Sequence, residues 1–546
     1  MGKITTVIIG IALVGFMLSS CGFAQKTADS QSQAQSILTP EMTQWIDSKF
    51  EQHFESEKLR STGVVDDATF LRRISLDLSG RIPTVAALRD FSNDPNPKKR
   101  LEVIDQLLKS DRYGEHAARI WRRILIPPSA NSNPALASAL DEWLKQQLQQ
   151  NTRFDVVARD LITAGGASGQ TEADGKAEGD ADSAYAPAAA SPTGYLVSTG
   201  GQPAEMASSV SRVFLGVKLE CEMCHDHPFT AWTQEDFWGV AAFFSGARLN
   251  RNQFSQFPTQ TTEGPVVDSK TTRVTDTDGK TYSASLPWNE EKIKIPADEL
   301  PRQYFAKWLT SKENPHFSAT IVNRVWQDLC GDGLTYSVDD LDQATEAERK
   351  VLLDSLAEKF EESDFDLREL VRAVCASQHY QRPSDRIYES EFVPPRPLKV
   401  LTPEQLFDSL EVALALPVSK IDRGPRFNGL RDTLVARMEE AVGSRPGDFR
   451  SGIPQALTLM NGSITAEATD LGKSKTLRAI AEAPFLDVDQ KVSTLFLATI
   501  GREPSSAERQ RFVEQVASQQ TEKEKGEVLS EIMWALINSP EFVLVR

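Results

Sequence analysis

Cysteine is scarce in this chain, with five in 546 residues. A scaffold held by disulfide bridges is therefore excluded, because such frameworks need many paired cysteines in a short chain. Cations are also in deficit. The 60 Lys and Arg face 77 Asp and Glu for a net charge of -17, and no basic stripe with interleaved aromatics occurs, so nucleic acid is not an expected partner. The sequence lacks G-x-S-x-G, H-E-x-x-H and a P-loop, which removes the commonest hydrolase and nucleotide-binding signatures. The acids at Glu172, Asp174, Glu178, Asp180 and Asp182 do not have EF-hand spacing.

What is present is concentrated. Cys221-Glu222-Met223-Cys224-His225-Asp226-His227-Pro228 holds two of the five cysteines and two of the six histidines. C-x-x-C-H is the attachment signature of c-type haem: two thiols bond to the porphyrin vinyl groups and the adjacent imidazole reaches the iron from the same turn. On that reading Cys221 and Cys224 form the thioethers and His225 is the proximal ligand. His227 lies on the same side as His225, so its expected role is a supporting hydrogen bond. Met206, Met460, His116, His316 and His379 are the candidates for the distal position. Methionine or histidine there would mean electron transfer, and an open position would allow small-ligand or peroxide chemistry. Zinc is the alternative, because Cys221, Cys224, His225 and His227 make a complete Cys2His2 set, although adjacent Cys224 and His225 cramp it. A plain disulfide or dithiol is the third reading. Cys330 and Cys375 fall in helical patterns and read as buried thiols, with a single disulfide as the alternative.

The N-terminus bears on the compartment. Lys3 precedes the apolar stretch Ile4 to Leu18, and Leu18-Ser19-Ser20-Cys21 resembles a bacterial lipobox. Residues 1–20 are then a lipoprotein signal peptide, Cys21 the lipidated residue, and 21–37 a flexible polar tether; an uncleaved anchor is the rival. Gly22 rather than Asp after the cysteine favours the outer membrane by resemblance to Gram-negative sorting. The expected location is the cell envelope, held to the membrane by the lipid anchor.

About 525 residues remain, enough for two or three domains. Periodicity predicts a mainly α, multi-helical two-domain protein with a small β-hairpin insert. Residues 38–250 form the first helical domain, interrupted at 165–193 by an acidic insert read as disordered. A β-rich connector covers 251–300, where Asp278-Gly279 marks a hairpin turn, and residues 301–546 form a second helical domain. An amphipathic helix is expected from Phe70 to a stop at Gly80 and Pro83. A capping box at Thr233–Asp236 should open a helix just after the motif. A helix through Met206 and Val217 should deliver the chain directly to Cys221. Further helices are expected at Phe317–Leu329, Glu346–Phe360, Asp366–Ser377, Thr402–Leu416 and Ser505–Ile537. Asp339, Asp340 and Asp342 read as loop-surface or helix-start acids, and His316 and His379 as structural histidines.

The segments at 70–84, 214–244 and 314–334, together with PQALTLMNG at 454–462 and WALINSPEF at 534–542, resemble a planctomycete-type family of exported proteins. That family pairs an N-terminal cytochrome-like domain of unknown function with a C-terminal one, also of unknown function. The resemblance implies an envelope lipoprotein whose Cys221, Cys224, His225 and His227 match the family's C-x-x-C-H-x-H-P motif, with no established reaction. The expected function is electron transfer or redox sensing with a redox partner protein. The alternative is a zinc-stabilised surface interaction or polysaccharide-associated protein without redox activity.

Overall fold

The computed structural model describes residues 41–59, 63–126, 134–165, 190–228, 230–249, 266–288, 293–342, 347–384, 397–415, 435 and 469–545. The signal peptide, Cys21, the tether, Met460, the 454–462 segment and nearly all of the acidic insert lie outside them. Among the described residues, no helix is long and apolar enough to cross a membrane.

The fold is mainly α, as the periodicity predicts, with three two-stranded antiparallel pairs as its only sheets among the described residues. The hairpin Arg273–Thr275 with Thr281–Ser283 pairs Val274 opposite Tyr282 across the Asp278-Gly279 turn, and Ala247–Leu249 pairs with Val266–Asp268. The third pair joins Lys399–Val400 to Leu544–Val545, which brings the C-terminus back beside the start of the last helical unit.

Packing does not break at residue 300. One core runs from Met42 through Phe244, Phe305 and Phe317 to Tyr380, so the helices Pro301–Leu309 and Pro315–Cys330 share an interior with the N-terminal ones. A second core joins Leu401–Leu414 to Leu477–Val545 and also takes in Leu76 and Ile82. The division by buried apolar surface thus falls between 384 and 397.

The helix Asp67–Ser79 is the hinge of this arrangement, and it departs from the amphipathic pattern. Every residue from Phe70 to Leu78 is buried, including Arg72, Arg73 and Asp77. The arginines are tolerated because carbonyls from distant segments receive them. Arg73 donates to Tyr380 O (2.6 Å) and Arg382 O (2.9 Å), and Arg72 donates to Thr499 O (3.1 Å) and Phe542 O (2.9 Å). A helix polar by composition becomes central once each buried charge has acceptors.

Gly80 ends this helix in the left-handed region at φ +70, and a Cβ there would come within 2.6 Å of His116 Nδ1. Gly80→Ala is expected to cost about 1–3 kcal/mol, from the left-handed backbone and the close approach together. The check is a lower urea midpoint at unchanged slope.

One smaller expectation changes and another holds. The expected Ser505–Ile537 helix is two, Ser506–Ala517 and Glu522–Ile537, because Thr521 and Glu524 form a fresh capping box. Cys330 and Cys375 are buried thiols in the first core.

Candidate functional site

The chain reaches the motif by a less direct route than one continuous helix. Pro203–Val210 is α-helical, Ser211–Leu215 widens into a π-type turn, and Gly216 at φ +61 ends it. A Cβ on Gly216 would meet Leu341 Cγ and Thr320 Oγ1 at 2.8 Å, so only glycine can make this exit. Four residues of irregular chain follow before the 3-10 turn Cys221–Met223. A widened turn of this kind commonly marks a site where backbone geometry serves function.

Cys221, Cys224 and His225 are all exposed, and both cysteines are thiols. A second layer fixes the turn. Gln234 Nε2 donates to Met223 O and Cys224 O, both at 3.3 Å, and Trp238 Nε1 donates to Met223 O at 3.2 Å. Asp226 Oδ1 accepts from Gln234 N at 2.8 Å, adding a cap to the helix Gln234–Ala242 beyond its own Thr233–Asp236 capping box. The β-hairpin enters here, because Tyr282 Oη donates to Gln234 Oε1 at 2.9 Å and its ring stacks on Trp238. The insert that sequence reading left without a role therefore buttresses the motif.

The two histidines are not equivalent. His225 Nδ1 lies 2.8 Å from Asp226 O; a carbonyl only accepts, so Nδ1 carries the proton and Nε2 of the neutral ring presents its lone pair. His227 is the reverse. Its Nδ1 accepts from Thr230 N–H at 3.0 Å, which puts the proton of the neutral ring on Nε2, and its backbone N–H donates to Trp232 O at 2.9 Å. His225 is in the tautomer a metal ion takes, whereas His227 closes the turn that follows.

Glu222, between the cysteines, is buried, and its carboxylate oxygens have no hydrogen-bond partner outside their own residue. Burial raises its pKa, against the opposing pull of His227 and His225. No group of three or more His, Cys, Asp or Glu among the described residues is placed to hold a metal ion.

The aromatics near the motif are already used. Phe237, Trp238, Phe243 and Phe244 are buried in the first core, so their rings are spent on packing. Three of the distal candidates are engaged elsewhere. Met206 is buried in the core, and His316 Nδ1 pairs with Leu215 O at 3.1 Å while its ring stacks on Trp288. His379 is sandwiched with Phe50 and Trp326. His116 lines a separate cavity. The acids at 339–342 act structurally: Asp339 pairs with Arg324 at 2.7 Å, and Asp342 accepts from Trp232 Nε1 at 2.6 Å.

Residues 45–248 match the family model PSCyt2, described as Protein of unknown function (DUF1549). Residues 301–429 match PSD1, described as Protein of unknown function (DUF1553). No curated protein and no solved structure matches the chain. With the two domains in this order and the C-x-x-C-H turn inside the first, the chain belongs to the family that pairs these two domains of unknown function.

Proposed function

We propose that this protein is a c-type-haem carrier of the cell envelope, lipid-anchored through Cys21, that transfers single electrons to and from a partner protein. The observation that carries the reading is the His225 tautomer beside two exposed thiols on one turn. Cys221 and Cys224 would hold the porphyrin through thioethers and His225 Nε2 would face the iron. When bound, the haem supplies a one-electron couple. The rest is done by the chain. Gln234, Trp238 and Tyr282 hold the turn, the Nδ1–H bond to Asp226 O orients the imidazole, and Glu222 sets a buried acid where positive charge would be compensated. The exposure of Cys221, Cys224 and His225 would suit exchange with a docking partner. The absence of a converging Cys2His2 set and the engagement of His227 Nδ1 weigh against a four-ligand zinc site.

The function is tested by spectroelectrochemical titration of the haem-loaded protein. A reversible one-electron transition is expected, and a haem that cannot be cycled between its two oxidation states would rule out the carrier role.

A further inference from the structure

A large cavity lies beside the motif rather than at the cysteines. A cleft of about 880 Å³ opens where the two cores meet, with Glu220 and Met223 of the motif on one rim and Lys399 and Thr402 on the other. Tyr336, 69 % exposed, stands at its edge. A smaller, mostly apolar pocket adjoins its floor, and Asp77, His116, Ile120, Ile124, Arg324 and Asp328 line both.

The cations lining the cleft are paired, whereas Glu205, Glu220, Asp328 and Asp332 have no ion pair among the described residues. Arg119 pairs with Asp408 at 2.8 Å, Arg123 with Glu404, Arg324 with Asp339 at 2.7 Å, and Lys399 with Asp77 at 2.5 Å. Asp77 also accepts from Tyr380 Oη at 2.7 Å. His116 and Asp328 are different. His116 is only 6 % exposed, and neither side chain has a hydrogen-bond partner among the described residues. A nearly buried imidazole and a half-buried carboxylate that line one open cleft without a protein partner point to a ligand.

We propose that this cleft binds an uncharged polyhydroxyl compound of the sugar class, whose hydroxyl groups bridge His116 and Asp328 while an apolar face rests on Tyr336. A hydroxyl both gives and takes a hydrogen bond, matching an imidazole and a carboxylate that line the same cleft. An anion finds no unengaged cation among the described residues lining the cleft, whereas a hydroxyl can donate to the Asp328 carboxylate; a polyamine is the competing ligand, which titration with spermidine distinguishes. Burial holds His116 neutral, with its pKa lowered to about 3, and pushes Asp328 up to about 6. The inference does not depend on haem, because none of these groups belongs to the C-x-x-C-H turn.

The test is calorimetric titration of the full chain with cellotriose, maltotriose and xylotriose, and with spermidine and trigalacturonate as charged counterparts. Binding of at least one neutral trisaccharide is expected, weakened about tenfold in Asp328→Asn and His116→Gln. Tyr336→Ala, at an exposed position that folding does not need, should weaken it severalfold. Binding of the charged probes alone, of none of the five, or binding undiminished in Asp328→Asn and Tyr336→Ala would overturn the proposal.

Discussion

His225→Ala should remove the axial imidazole while leaving haem covalently attached, changing the visible spectrum and shifting the reduction potential on the order of 100 mV or more. The same change at His227 should leave spectrum and potential nearly unaltered and cost about 1 kcal/mol of stability, from the lost acceptor for Thr230 N–H. The asymmetry follows from the tautomers. His225 has its Nδ1 proton committed to Asp226 O and Nε2 available, whereas His227 spends its Nδ1 lone pair on its own turn. Absorption spectra and potentials of the two loaded variants, with urea unfolding of each, make the comparison. Equal loss of metal from both would mean that both are ligands, as a Cys2His2 zinc site requires.

Arg73→Met should destabilise the protein by about 3–5 kcal/mol, a large fraction of the stability of a typical domain. Arg73 is fully buried, and its guanidinium serves Tyr380 O and Arg382 O more than 300 residues away. Methionine fills much of the volume but leaves two buried carbonyls without their donor. Lys350→Ala, which breaks the exposed pair with Asp354, should change stability by under about 1 kcal/mol. Urea midpoints of the two variants decide the point; similar midpoints would mean that the Asp67–Ser79 helix is not the central element described.

The local features were legible in the residues. Thr233–Asp236, Asp278-Gly279 and Gly80 act through neighbours within a few positions, so their caps and turns follow from spacing alone. The C-x-x-C-H turn was legible for the same reason. What failed depends on sequence-distant partners. The helix from Phe70 read as amphipathic because the acceptors that allow Arg72 and Arg73 to be buried lie at 380–382, 499 and 542. The helix toward Cys221 read as continuous because the demand for Gly216 comes from Thr320 and Leu341. Phe243 and Phe244, after the motif, pack with Phe305 and Tyr304, partners about 60 residues away. The His116 and Asp328 cleft left no sequence signal, since its two walls are more than 200 residues apart. The break within Ser505–Ile537, by contrast, was readable in Thr521-x-x-Glu524.

The most direct measurement is the pyridine haemochrome spectrum, with metal analysis, of the full chain produced together with a haem-attachment system. One covalent haem c per chain is predicted, retained through denaturing electrophoresis and lost in the Cys221→Ala/Cys224→Ala double variant. Stoichiometric zinc without covalent haem would contradict it.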